Sequence, residues 1–167
     1  MSGWTTDKEV ARIGHVGSPG DVIDVTLVVE ASQLADGDVM VVPQEITNAV
    51  GLKGGRCILQ SIQLLDQDDQ GTALDLIFFN AATTLGTLNS GPSITDTAAL
   101  NIVGRVNIAT TDYIDLGGCR LATKSGIGQV MKAAATTDSL WIGAISRGGT
   151  PTYTAAGIKL KLGMLWD

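Results

Sequence analysis

Apolar and polar residues alternate with a period of two along most of the chain. That spacing demands extended backbone, because only a strand turns successive side chains to opposite faces. At the C-terminus Ile158, Leu160, Leu162, Met164 and Trp166 alternate with Lys159, Lys161 and Gly163. Val25, Leu27 and Val29 alternate with Asp24, Thr26, Val28 and Glu30; a turn at residues 35–38 then leads to a short strand at 39–42, which is a hairpin pattern. A second such pattern follows: Ile58, Ile62 and Leu64, a polar loop from Asp66 to Gly71, then Leu74, Leu76 and Phe78. Further strands are expected at 105–109, 113–116, 119–124 and 140–146, with a last hairpin turning through 147–151. Residues 81–93, rich in Thr, Gly and Asn, lack a period and read as a surface loop. Two short helices are expected, one at 97–103 behind Asp96 as N-cap and one at 43–50 with Pro43 near its first position and Gly51 as C-cap. The strand spacing predicts an all-β fold: a single-domain antiparallel β-sandwich or jelly roll with one or two short helices.

A length of 167 residues suits one domain, and a 44% hydrophobic content is too apolar for a disordered chain. Acids outnumber bases 17 to 11, a net charge of −6, which argues against a surface that tracks phosphates; no nucleic-acid partner is expected. Residues 1–20 contain no apolar run of signal-peptide length. No stretch approaches the ~18 residues of a spanning helix, so no membrane partner is expected either. The Gly-, Ser- and Thr-containing segment 1–20 reads as a flexible N-terminal arm with Trp4 as its anchor, ahead of a sandwich domain at 21–167. Several strands are apolar on both faces, which points to Val28, Ile77, Phe79 and Leu165 as interface residues and to a homo-oligomer.

Chemistry is sparse. Cys57 and Cys119 sit in apolar strand-like segments and read as reduced core residues. His15 is the sole histidine, and no nucleophile elbow accompanies it. Asp66, Asp68 and Gly71 match positions 1, 3 and 6 of a calcium loop, but Ile77 stands where the bidentate acid belongs, so this reads as a hairpin loop, acidic because it is solvated. Gly126-Ile127-Gly128 begins like a dinucleotide fingerprint, yet Met131 replaces the third glycine, and it reads as a turn. A pair of acids for glycoside hydrolysis has no sequence signature, and the acids here lie mostly in turns. Trp141 and Tyr153 could serve as sugar-stacking platforms, although such residues more often cap a core. No catalytic residue, metal ligand or cofactor site is expected.

Three stretches carry a resemblance: residues 59–71 (Leu-Gln-Ser-Ile-Gln-Leu-Leu-Asp-Gln-Asp-Asp-Gln-Gly) leading into 74–79, residues 111–118 (Thr-Asp-Tyr-Ile-Asp-Leu-Gly-Gly), and residues 143–154 (Gly-Ala-Ile-Ser-Arg-Gly-Gly-Thr-Pro-Thr-Tyr-Thr). Together they resemble small proteins of tailed-phage structural modules, of the capsid decoration or cement class. The resemblance implies a non-enzymatic β-sandwich or jelly roll that forms a homodimer or homotrimer, binds the phage major capsid protein and sits on the outside of a head assembled in the host cytoplasm. The competing expectation is a tail or carbohydrate-binding adsorption module on the same fold.

Overall fold

The computed structural model describes residues 20–166. Nine strands follow one another: β1 (Gly20–Thr26), β2 (Val39–Ile46), β3 (Arg56–Asp66), β4 (Leu74–Phe79), β5 (Ile102–Ile108), β6 (Tyr113–Asp115), β7 (Arg120–Lys132), β8 (Leu140–Ser146) and β9 (Ile158–Trp166). They form a five-stranded sheet in the order β1-β9-β3-β7-β6 and a four-stranded sheet in the order β2-β8-β4-β5, antiparallel at every pairing. With the short β6 set aside, the chain changes sheet at every step except β4 to β5. That winding is a jelly roll.

The three expected hairpins are corrected by this order. β1 pairs with β9 rather than β2, and β3 with β7 and β9 rather than β4, while β8 and β9 lie in different sheets. Each turn is an arch that carries the chain across the sandwich. Alternation and a polar turn specify two strands and a reversal, but not whether the strands hydrogen-bond side by side or stack face to face. The hairpin that does form joins β6 to β7, closed by a bond from the Leu116 amide to the Cys119 carbonyl.

Residues 43–50 are not helical. Pro43 lies within β2, an edge strand whose register slips between Val41 and Gln44, which is where a residue without an N–H is tolerated. The other helix is a single turn, α1 (Asp96–Ala99), and its cap is Thr95, whose hydroxyl accepts from the Ala98 amide at 3.2 Å; β5 begins at Ile102, so 102–103 are strand. Gly126 and Gly128 are not a turn but part of β7. Both take φ of +67°, where the five β7 residues from Ser125 to Gln129 lie against the three β3 residues from Leu59 to Ser61, a bulge that glycine permits.

Between the sheets lies one continuous core that includes Leu27, Leu59, Ile62, Leu64, Leu76, Phe78, Ile142, Leu160 and Leu162, each essentially inaccessible to solvent. The interior is therefore filled by side chains.

Candidate functional site

The outward faces of the two sheets differ, and the difference follows from the β4–β5 connection. Ile77 and Phe79 point away from the main core, yet Phe79 is wholly buried, because residues 80–101 fold back over the four-stranded sheet. Leu85, with Leu88 and Ile94, packs on Val39, Ile77, Phe79, Ile145 and Trp141 as a second apolar cluster. Asn89 donates to the Val39 carbonyl at 3.0 Å and Val39 donates to that of Ser90 at 2.8 Å, so the strap is stitched to β2. Residues 81–93 are the expected surface loop and serve as a cover as well, while Ile77 and Phe79, expected at an interface, are buried under it within one chain.

No such cover lies on the five-stranded sheet among the described residues. Its register sets Ile58, Leu165 and Val130 in one row at one end, and Lys159, Leu65, Leu121 and Ile114 in another at the opposite end. Between them Asp24 and Lys161 pair at 2.6 Å beside Gln63 and Thr123. Ile114 is 57% exposed and Val130 is 57% exposed, while Leu165 is half-buried. Leu65, Leu121 and Leu116, with Lys159, Lys161, Asp24 and Thr26, line a groove of about 440 Å³ on this face. Val28 lies just past β1 and is 65% exposed; its amide donates to the Gln44 side chain at 2.8 Å, which also donates to the Thr26 carbonyl and so ties the two sheet edges together. Of the expected interface residues, the fold therefore leaves Val28 fully and Leu165 partly accessible. Trp4 lies outside the described residues, as do His15 and nearly all of the expected arm.

The acidic loop after β3 is not solvated at its first residue. Asp66 is fully buried, accepting from the amides of Gly71 at 2.7 Å and Asp68 at 3.0 Å, and Asp68 in turn accepts from the amide and hydroxyl of Thr154. The first carboxylate of the calcium template is thus spent on holding the arch together. Burial outweighs these donors and keeps the Asp66 carboxyl above its ordinary range. Tyr153 is buried in the core and so is no exposed stacking platform, whereas Trp141 is half-buried against the strap cluster. Cys57 is core, and burial pushes its thiol up to about 11, whereas Cys119 is half-buried in the β6–β7 turn rather than in the core. Among the described residues no three His, Cys, Asp or Glu side chains gather as metal ligands.

A charged cluster sits on the strapped sheet that sequence reasoning did not single out. Asp75, fully buried on β4, accepts from Arg105 at 2.8 Å and Asn107 at 3.1 Å on one oxygen, and from Arg147 at 2.6 Å on the other. Burial opposes its ionisation, but these bonds prevail and hold the carboxyl below its ordinary range. The alternation in β4 placed Asp75 outward, but only the fold brings residues 30 and 72 positions away onto it.

No protein-family model matches the chain, and no curated protein does. Solved structures with partial likeness include Desmodium yellow mottle tymovirus, 14% identical over 91% of this chain and 84% of that one at a TM-score of 0.29. The infectious bursal disease virus VP2 subviral particle is 12% identical over 89% of this chain, at a TM-score of 0.38. The chain spans 33% of that VP2 chain. The K3 cleaved adhesin domain of Lys-gingipain from Porphyromonas gingivalis is 13% identical over 86% and 73%, at 0.32. The order of the strands, rather than these superpositions, establishes the chain as an antiparallel jelly-roll sandwich.

Proposed function

We propose that this chain is a non-enzymatic virion structural protein that decorates and stabilises the head of a tailed phage. The observation that carries the reading is the asymmetry of its two faces: the apolar patch of one sheet is covered by the chain's own strap, and the other presents aliphatic rows around a single ion pair. Jelly rolls serve as viral capsid domains, as lectins and as cupins. A core filled with aliphatic and aromatic side chains disfavours chemistry between the sheets, and the burial of Tyr153, with Trp141 half-buried against the strap, disfavours sugar stacking. A flat, bare, partly apolar face suits docking to a capsid protein or to a second copy. In this reading residues 1–20, with Trp4, add a second contact to a neighbouring subunit or to the shell. Quantifying the chain in purified virions tests the reading. Hundreds of copies in the head fraction support decoration, whereas a few copies on tails replace it with an adsorption module. Deleting residues 1–20, or making Trp4→Ala, weakens binding to undecorated heads while melting stays normal; unchanged binding by both removes the arm.

A further inference from the structure

We propose that Arg105 and Arg147 form a binding site for a carboxylate-bearing ligand on the strapped sheet, separate from the docking face. Two guanidinium cations converge on one carboxylate: Arg105 Nη2 on Asp75 Oδ1 at 2.8 Å and Arg147 Nε on Asp75 Oδ2 at 2.6 Å. One negative charge against two positive leaves the cluster at +1, in a chain whose net charge is −6. Asp75 is completely buried, whereas the Arg105 and Arg147 side chains are 61% and 42% exposed, so the surplus charge faces solvent. Among the described residues both arginines pair with Asp75 alone. Among the described residues Arg147 uses only Nε and Arg105 only Nη2, which leaves Nη1 and Nη2 of Arg147 and Nε and Nη1 of Arg105 without a partner there.

Asp75 therefore acts as an anchor rather than as the ligand. It ties down one guanidinium on each of its oxygens, and Asn107 adds a third donor at 3.1 Å. Preorganised planar donors in a pair fit a planar carboxylate bidentately and lose little side-chain freedom on binding. The paired basic residues of the other sheet are arranged otherwise. Arg120 is shared between Asp69 and Asp115, Lys124 is taken by Asp112 and Lys161 by Asp24, so each is matched or outnumbered by acids. The ligand's carboxylate could come from an acidic protein segment or from a uronic-acid saccharide, and the chemistry at the two forks is the same.

The test is titration of the full-length protein with acetylated triglutamate amide and, separately, with trigalacturonate, following the side-chain Nε–H resonances of its arginines by NMR. Saturable shifts at Arg105 and Arg147, absent at Arg56 and Arg120, are expected, with a dissociation constant tighter than ~10 mM. Arg147→Gln should weaken binding about tenfold while the backbone spectrum stays folded, because Asp75 keeps Arg105 and Asn107. Arg147→Lys retains the charge but not the fork and should also lose affinity, so it serves where the glutamine variant does not fold. Binding of the peptide alone assigns a protein source, of the saccharide alone a glycan source, and of both a general carboxylate site. Shifts equal at all arginines, or no saturation with either probe, would overturn the site whatever the variants do.

Discussion

Asp66 and Asp75 are both withdrawn from water, and what surrounds each decides how it answers to acid. Around Asp75 two guanidiniums and an amide overcome burial, so its folded pKa lies below the unfolded value near ~3.9. The stability it contributes is present above that value and is lost as pH falls through the folded one. Around Asp66 burial prevails over backbone donors and its folded pKa lies above the unfolded value, so its contribution is full at low pH and is lost as pH rises through the folded one. Asp75→Asn should therefore cost more at neutral pH, about 2 kcal/mol, than near pH ~3. Asp66→Asn should cost more in acid than at neutral pH. Urea unfolding of both variants across pH measures the two slopes, and slopes of the same sign would contradict this account. The thiols give a second residue-scale prediction: Cys57, buried with its thiol near 11, stays unmodified in the native protein while Cys119 reacts, so a thiol reagent should count one group per folded chain.

The strap is the element that decides which sheet face is available. Phe79 is buried by Leu85 and its neighbours within one chain, so Phe79→Ala should destabilise the isolated protein by about 3–5 kcal/mol, the cost of an aromatic cavity. Were Phe79 an intermolecular contact, the same substitution would change association and leave unfolding of the lone chain nearly unaltered. Denaturation at two protein concentrations separates the outcomes. The arch after β3 depends on Gly71 in the same way: its φ is +58°, and an added Cβ would stand 2.5 Å from the Arg120 side chain. Gly71→Ala should cost about 1 kcal/mol or more in thermal unfolding.

For the molecule as a whole, the five-stranded face, uncovered among the described residues, is the surface to which the proposed function assigns assembly. Leu65 and Leu121 sit side by side there, half-buried at the floor of the groove. Leu65→Asp with Leu121→Asp should change intrinsic stability little, since neither side chain enters the core, but should abolish self-association and head binding. Light scattering then gives a species near the 17.3 kDa chain mass, and cosedimentation with undecorated heads fails. Retained binding by the folded double variant would move the docking surface elsewhere.

The sequence by itself determined the strands, because period-two alternation is a property of local backbone geometry. It determined the sandwich or jelly-roll class, because so many short amphipathic strands have few ways to bury one face each. It could not decide pairing: an arch and a hairpin use the same turn residues, and only the competition among all nine strands sent β1 to β9 and β3 to β7. Ile77 and Phe79 looked like interface residues for the same reason, since alternation registers that a face is apolar but not whether a distant, aperiodic segment lies over it. Pro43 and the two glycines of β7 misled through local propensity that edge position and a bulge override. The Asp75 cluster had no local signal at all. A buried carboxylate must be matched by hydrogen-bonding cations, and which residues meet that demand is settled only when the sheets close and set Arg105 and Arg147 beside it.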